Sequence, residues 1–342
     1  MKRNLLFIIL GCLLLSGLPE ILNAQIEDRE RRKLAQTGFK FLNVTTDARA
    51  AALSDAVTSL HGGAEAMFFN PATMGWMDRT TNITVGMVQW IADINYNHAG
   101  IAFRPAGGRF GVIGATFLAV DYGDFQRTIR DPGVDAGYID LGTFSPSAWS
   151  AGVGYANAIT ERFAVGGNVK YVSQDLGQSI IDVNDDEHVF ADNETGVFAF
   201  DFGVMYHVGL ESLNFALSIR NFSEEIRYVE ESFQLPLTFR IGVSMNVMHL
   251  MENQSENHQV IVSIDAERPR DYYEQLKIGT EYIFMDRIAL RGGFVFPSDE
   301  ASISLGVGLR QPLGSTDFAF DYAYSDLGVF SSVHRFTFNF GF

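Results

Sequence analysis

The sequence predicts an all-β fold, a closed transmembrane antiparallel β-barrel of about 14 strands with an N-terminal, partly helical plug. Three observations support this prediction. Apolar and polar residues alternate in almost every segment after residue 80, charges of both signs lie on the polar face of that alternation, and the chain ends on alternating phenylalanines. The composition agrees, because Gly (33) and Phe (29) are abundant while charged residues are only 19%, which suits strands and turns better than soluble helices.

The start of the chain has the pattern of a secretory signal peptide. Lys2 and Arg3 precede an apolar run over residues 5–15, and cleavage is predicted after Ala24. The run is too short to cross a membrane as a helix. The only cysteine, Cys12, lies within it, so the mature chain is predicted to have no disulfide. We therefore divide the chain into a signal peptide (1–24), an N-terminal plug or hatch segment (25–79) and a transmembrane barrel (80–342).

The barrel is predicted from alternation with a period of two, because successive side chains of a strand point to opposite faces. The clearest segment is Leu237–Val247, in which every second residue is apolar. Strands of about 9–11 residues in even number are typical of outer-membrane barrels. The predicted strands lie near residues 80–90, 94–104, 109–120, 147–158, 162–173, 196–207, 213–222, 235–247, 258–267, 273–284, 287–296, 301–311, 316–325 and 332–342. Short turns (105–108, 159–161 and 209–212) alternate with long loops (121–146, 174–195 and 223–234).

Ionised side chains on the polar face of these segments distinguish the barrel from other β folds. A secreted β-sandwich or propeller would also alternate, but its dry core could not hold so many charges. The lumen of a barrel can pair them. The side chains predicted to face the lumen are Asp201, Arg220, Arg240, Asp265, Glu267, Lys277, Glu281, Arg291, Arg310 and Asp321.

The C-terminal segment predicts the partners of the outer face. Phe336, Phe338, Phe340 and Phe342 share one face of the last strand, and we expect this face to contact outer-membrane lipid. The terminal Phe342 is also expected to be recognised by the barrel insertion machinery. Nucleic acid is excluded as a partner, because the net charge is −16 and phosphate binding needs a basic face.

Residues 26 to 79 do not show the alternation of the strands. Asp47 is placed to cap a short Ala-rich helix, because its side chain can accept a hydrogen bond from the first turn. Asn70 and Pro71 predict a turn, since Pro71 has a fixed φ and Asn70 can bond to its own backbone. The segment is expected to be either a periplasmic arm or a hatch folded into the lumen.

The order of these elements resembles the PorV/PorQ family of outer-membrane proteins, which is itself similar to the FadL long-chain fatty-acid transporters. A signal peptide is followed by "FLNVTTDARAAALSDA" (Phe41–Ala56), by "FFNPATM" (Phe68–Met74) and by a barrel that ends in Phe. Arg49 matches the family's Ala-Arg-Ala motif. The family's Asn-Pro-Ala motif is matched by Asn70, Pro71 and Ala72.

The chain departs from the family at one turn of the plug. Ala52, Leu53 and Ser54 stand where relatives usually carry Gly-Met-Gly or Gly-Leu-Gly. The local backbone is therefore expected to differ from that of the family here, while the fold is expected to be shared.

The resemblance implies two functions for an integral protein of the cell outer membrane. The first, which it favours, is a partner-binding component linked to type IX protein secretion, in which the barrel docks secreted cargo or other secretion components. The second is a FadL-like passive passage for hydrophobic small molecules, with an apolar pocket between hatch and wall and a lateral exit at a strand kink. A general diffusion pore comes third, because mixed lumenal charges suit a closed, ion-paired lumen better than an open one.

The sequence lacks the motifs of common enzymes and cofactor sites. It has no Gly-x-Ser-x-Gly elbow, phosphate loop or dinucleotide fingerprint, so we expect no enzyme activity and no cofactor. The acidic segment Asn184–His188 lacks the spacing of an EF-hand and is expected to be a solvated outer loop. His249 and His258 fit no ordinary zinc spacing. No metal site is therefore expected.

Removing the terminal Phe342 is expected to impair assembly more than replacing Ile241, a central lipid-facing residue, by Ala. Lipid refills the space that a smaller outward side chain leaves, whereas the C-terminal aromatic residue is a recognition element for insertion. The measurement is the amount of each variant in the outer-membrane fraction. Equal amounts of the two variants would contradict the prediction.

Overall fold

The computed structural model describes residues 37–184, 187–210, 212–228, 232–250, 257–298 and 303–342. The signal peptide 1–24 with Cys12 and Ala24, and the first part of the plug, lie outside the described residues. The acidic segment 184–188 lies largely outside them as well, since residues 185 and 186 and the side chains of 180–188 are not described.

Most of the described chain is β-strand, as the alternation predicts. The strands are β1 (Thr81–Gln89), β2 (Asn95–Phe103), β3 (Val112–Asp121), β4 (Phe125–Arg130), β5 (Tyr138–Phe144), β6 (Ser147–Ala158), β7 (Phe163–Asn184), β8 (Glu187–His207), β9 (Asn214–Ser223), β10 (Ile226–Arg227), β11 (Ser232–Phe233), β12 (Thr238–Asn246), β13 (His258–Pro269), β14 (Gln275–Phe284), β15 (Ile288–Phe296), β16 (Ile303–Leu313), β17 (Thr316–Asp326) and β18 (Ser332–Gly341).

Fourteen of these strands form a closed antiparallel barrel, so the predicted fold class is confirmed. The order around the wall is β1-β18-β17-β16-β15-β14-β13-β12-β9-β8-β7-β6-β3-β2. The ring closes where β1 pairs with β18, in a register that runs from Asn82 opposite Gly341 to Gln89 opposite His334. Closure satisfies the backbone groups of both end strands, which lipid could not do.

The phenylalanines of β18 lie on the outer face of the wall. Phe338 and Phe342 are exposed, while Arg335 and Thr337, which alternate with the phenylalanines and point inward, are buried. The rings also pack against those of β17, with centroids 5.0 Å apart for Phe320 and Phe338. The outer surface is thus a continuous apolar and aromatic band.

All three of the predicted long loops contain paired strands instead. Residues 174–195 continue β7 and β8 as a long hairpin beyond the wall, with Gln178 opposite Asp192. Residues 121–146 contain β4 and β5, which pair with each other, and 223–234 contain the short pair β10 and β11. The prediction ended these strands at the thickness of a bilayer, whereas backbone pairing continues past it in water.

The two ends of the barrel differ. At one end, the short-turn end, lie the start of β1, the end of β18 and the turns before β3, β7 and β9. At the other, the long-loop end, lie the β4–β5 pair, the projecting part of β7 and β8, and the β10–β11 pair. Outer-membrane barrels place short turns on the periplasmic side.

Helices in the described chain are short. The α-helix α1 spans Ala48–Ala52. The 3₁₀ helices are Lys40–Asn43, Ala64–Phe68, Pro71–Trp76, Ile91–Asp93, Pro105–Gly108, Val247–Leu250 and Gly328–Phe330. None of the described helices has the length and apolar character needed to cross a membrane.

One aromatic residue near a strand end lies inside the barrel. Trp149, Tyr206 and Tyr324 are exposed near strand ends, as an interfacial belt requires. Trp90 instead packs against the interior apolar cluster at the long-loop end, and the guanidinium carbon of Arg335 lies 5.4 Å from its ring centroid. The interior position follows from Trp90 sitting just past the end of β1, where the chain turns over the lumen.

Candidate functional site

The lumen is filled by residues 37–79, which we call the hatch. It begins at the long-loop end, where Thr37 bridges Gln234 and where Phe39 and Phe41 are buried in the interior apolar cluster. It ends at the short-turn end, where Met77 precedes β1. Of the two arrangements that the sequence left open, the described residues form the lumenal hatch.

The helix α1 crosses the lumen because small residues let it approach the wall. Asp47 caps it, with Oδ1 accepting a hydrogen bond from the Ala50 N–H at 2.8 Å, as the sequence predicts. The Ala48 N–H donates to Thr337 Oγ1 of β18 at 2.9 Å. A Cβ added to Gly306 of β16 would overlap the Cβ of Ala52. Small residues on both sides therefore determine how closely helix and wall pack.

The Asn-Pro-Ala motif forms a second contact with the wall. Asn70 is buried; its Nδ2 donates to Thr58 O at 2.8 Å, and its Oδ1 accepts from the Ala72 N–H at 3.1 Å. Pro71 begins the 3₁₀ helix Pro71–Trp76, where its missing N–H costs nothing. Gly203 of β8 leaves the room, because a Cβ there would overlap Asn70 Oδ1. The motif thus joins two parts of the hatch and seats them on β8.

The inward charges form three ion-pair groups. The first, which we call the helix-side cluster, consists of Arg49 of α1 with Glu281, Arg291 and Asp321 of the wall. The guanidinium of Arg49 donates to both oxygens of Glu281, with Nη2–Oε2 at 2.7 Å. Arg291 bridges Glu281 and Asp321, each at 2.6 Å. The side chains of Arg291 and Glu281 are fully buried. Burial alone would lower the pKa of Arg49, but Glu281 raises it above the usual value, so Arg49 stays charged.

Asp55 is the hatch residue of a second group, which we call the central cluster. It contacts Arg240, and its Oδ2 lies 3.2 Å from Lys277 Nζ. Glu267 contacts Lys277 and lies 2.8 Å from Arg240 Nη2. Burial alone would raise the pKa of Asp55, but Arg240 and Lys277 outweigh it and hold this pKa well below the usual range. Two cations and two carboxylates therefore neutralise each other across the hatch–wall boundary.

The third group, the wall cluster, lies in the wall alone. Lys170 Nζ contacts both oxygens of Asp201, at 2.9 and 2.8 Å, and Asn221 Oδ1 at 2.7 Å. The pairing of β8 and β9 shifts at this point, since Phe200 pairs with Phe222 but Phe202 pairs with Ile219. This is a β-bulge, and it is the one register shift that the described wall shows between the two barrel ends.

The remaining predicted lumenal charges also point inward. Asp265 is fully buried and accepts the Thr58 N–H at 2.9 Å. Arg220 donates weakly to Leu42 O at 3.4 Å and lies 5.7 Å from the ring centroid of Phe69. Arg310 lines a cavity at the short-turn end. Within the described chain, neither of these two arginines forms an ion pair.

Two inward cations were missed in the sequence. Lys170 alternates with Asn168 on the polar face of its strand, so the same pattern could have identified it. Arg335 lies opposite the phenylalanine face, was not singled out, and donates to Thr45 O at 2.8 Å.

Cavities lie on both sides of the hatch. One of about 620 Å³ at the long-loop end is lined by Trp90, Tyr96, Tyr122 and Arg220 among others. Two of about 470 and 410 Å³ lie at the short-turn end, and Arg49 lines both. A gap of about 30 Å³ between hatch and wall is also lined by Arg220. The hatch therefore separates an outer from an inner chamber.

Metal and catalytic sites give no further indication of function. Within the described ranges, no group of three or more His, Cys, Asp or Glu residues is arranged to hold a metal ion. The expectations of no enzyme activity and no cofactor stay predictions.

Comparison with known proteins identifies the fold. No protein-family model and no curated protein matches the chain. Among solved structures, the Pseudomonas putida toluene transporter TodX aligns with a TM-score of 0.53 at 11% identity, covering 83% of this chain and 94% of that chain. The CymD monoaromatic hydrocarbon channel aligns at 0.52 and 11%, covering 87% and 96%. A Pseudomonas aeruginosa FadL homologue aligns at 0.49 and 11%, covering 87% and 97%. The chain shares the fold of TodX and of CymD, and the PorV/PorQ resemblance stays a prediction.

Asp55→Asn is expected to loosen the hatch, because Arg240 and Lys277 would then share Glu267 alone. Removing one partner of a buried ion pair costs about 3–5 kcal/mol. The matched control is Asp317→Asn, which breaks an exposed pair with Arg79 and should cost about 0–1 kcal/mol. The measurement is the urea concentration at which the hatch becomes accessible to protease while the barrel stays closed.

A comparison of wild type with Asp55→Asn also tests the pH dependence of hatch protection. The pKa of Asp55 is lower in the folded state, so its stabilisation is present above the unfolded-state value of about 4 and is lost as the pH falls below it. Wild type should therefore lose hatch protection in acid, and Asp55→Asn should lose less. An identical acid profile for both would contradict this assignment.

Proposed function

We propose that the chain is an outer-membrane channel for hydrophobic small molecules, whose lumen the hatch keeps closed. The observation that most supports this proposal is that the hatch divides the lumen into two chambers. Two buried ion-pair clusters hold the hatch to the wall. A water-filled diffusion pore needs an open lumen. A closed lumen whose outer chamber is lined by Trp90, Tyr96 and Tyr122 as well as by charged residues fits capture of a ligand that places its apolar surface against the aromatic part.

The lining of the outer chamber supports this ligand class. Tyr96 is 3% exposed and packs edge-on against Trp90, with ring centroids 6.3 Å apart. Aromatic walls bind apolar and aromatic ligands through large, rigid contact areas. The proteins that share the fold include a toluene transporter and a monoaromatic hydrocarbon channel by name, so a monoaromatic hydrocarbon is the ligand to test first.

The β8–β9 bulge supports an exit through the wall rather than straight through the lumen. Bulges interrupt a ladder and bend the strand. Arg220 lies beside the bulge and lines both the outer chamber and the small gap between hatch and wall. On this proposal a ligand that follows these spaces leaves to lipid at β8–β9, beside the wall cluster, while the helix-side and central clusters stay intact.

Transport is tested by uptake of a labelled monoaromatic hydrocarbon by cells that express the chain. Tyr96→Ala should lower the initial rate about threefold to tenfold, because one aromatic contact contributes about 0.5–1.5 kcal/mol. The matched control is Tyr155→Ala on the lipid-facing side, where Tyr155 is 46% exposed, and it should leave the rate unchanged. Uptake equal to that of cells without the chain would refute the proposal.

A role in secretion is the second candidate, and the hairpins at the long-loop end favour it. Phe125, Tyr138 and Phe190 are exposed there, beyond the lipid-facing band, and exposed apolar surface marks protein contacts. Replacing 176–193 by a short turn leaves the wall pairing from Phe163 to Asp175 in place. A secretion component would lose cargo binding in that variant, whereas a channel would keep its uptake rate.

A further inference from the structure

The outer chamber and the gap between hatch and wall are neighbouring spaces of very different size. The chamber holds about 620 Å³ and the gap about 30 Å³. A protein cavity of about 150 Å³ can bind benzene, so a ligand of that size fits the chamber and does not fit the gap. Val44 of the hatch and Arg220 of β9 line both spaces. A route from the chamber to β8–β9 therefore needs a side chain at this boundary that can move.

The β8–β9 bulge places Arg220 at the boundary. Arg220 and Asn221 together stand opposite Asp201, so two consecutive residues of β9 face the lumen, whereas a regular strand turns only every second residue inward. Asn221 is fixed in place: its Oδ1 accepts from Lys170 Nζ at 2.7 Å, and its N–H donates to Asp201 Oδ1 at 2.8 Å. The backbone beside Arg220 is thus anchored, and only the arginine side chain is left to move.

The side chain of Arg220 is held less firmly than the cations beside it. Its Nη2 donates to Leu42 O at 3.4 Å, which is longer than the usual range of about 2.7–3.2 Å. Its Nε is buried and meets no acceptor among the described residues. The guanidinium carbon lies 5.7 Å from the ring centroid of Phe69, which lines the gap. Arg240 and Lys277, by contrast, each contact two carboxylates.

We propose that Arg220 is the gate between the outer chamber and the exit at β8–β9. In the closed position its guanidinium lies against the ring of Phe69. An aromatic ligand in the chamber offers the guanidinium a second ring face, and cation–π attraction acts on either ring. The arginine then turns toward the ligand, and the gap joins the chamber. The gate rests on the proposed function, because it controls passage along the same route.

The first test measures access to the gap without any transported ligand. Ser150 lines the gap and is 8% exposed, and the only native cysteine is Cys12 of the predicted signal peptide. Ser150→Cys therefore gives the mature chain one thiol, whose rate of modification by N-phenylmaleimide is measured on the full mature chain in detergent. Adding Arg220→Ala should raise this rate about threefold to tenfold, the range that a contact of cation–π strength corresponds to. Heat-modifiable gel mobility checks that each variant is folded.

Two matched controls separate a gate from a general loosening of the lumen. Arg310→Ala removes the other inward arginine that forms no ion pair within the described chain, and Arg310 lines a cavity at the short-turn end. Arg335→Ala removes an arginine that, like Arg220, donates to a backbone carbonyl of the hatch, at Thr45. Both should leave the labelling rate of the Ser150→Cys chain unchanged. A rise with Arg335→Ala equal to that with Arg220→Ala, or no rise with Arg220→Ala, would overturn the proposal.

The second test is uptake of labelled toluene by cells that express wild type or Arg220→Ala. Removing the gate should raise the initial rate. A lower rate would mean that Arg220 holds the ligand instead of closing its exit, and would overturn the proposal. If wild type takes up no toluene, the proposed transport fails, while the labelling rate still decides whether Arg220 closes the gap.

Discussion

The pairing of charges across the boundary between hatch and wall is the constraint on which the rest of this structure depends. The wall strands carry arginines, two lysines and carboxylates inward, many of which are buried, and a buried charge without a partner is costly. The wall does not neutralise itself, because Arg240 and Lys277 share only Glu267 in the absence of Asp55. Asp55 and Arg49 of the hatch complete the pairing. Hatch and wall are therefore one electrostatic unit, although they are separate segments.

The barrel could be predicted almost strand by strand from the sequence. Lipid requires apolar side chains on the outward face of each strand, and the lumen accepts polar and charged side chains on the inward face. Leu237–Val247, for example, contains β12 (Thr238–Asn246) with its predicted faces. The projecting part of β7 and β8 was not predicted, because in water neither face has to be apolar and the strands are held by their backbone pairing alone.

The side-chain caps of the hatch helices could be predicted from the sequence, whereas the path of the hatch through the lumen could not. Asp47 and Asn70 act locally, and a local hydrogen bond can be read from neighbouring residues. The partners of Asp55 lie about 185 and 222 positions away in sequence, and only the closed barrel brings them together. The departure from glycine also has a structural answer, since Ser54 and Asp55 adopt left-handed φ values of 50° and 71°. Glycine adopts this conformation more readily than serine does, so Ser54 takes a backbone conformation that the family's glycine would favour.

The hatch touches the wall in every direction. Helix α1 meets β15 to β18, Thr58 and Ser59 meet β12 and β13, and the helices Ala64–Phe68 and Pro71–Trp76 meet β1 to β3 and β6 to β8. The hatch therefore connects strands on different sides of the wall to one another. One segment thus links wall strands that are far apart around the ring, and a local break in its contacts would release one sector of the wall while the other sectors keep theirs.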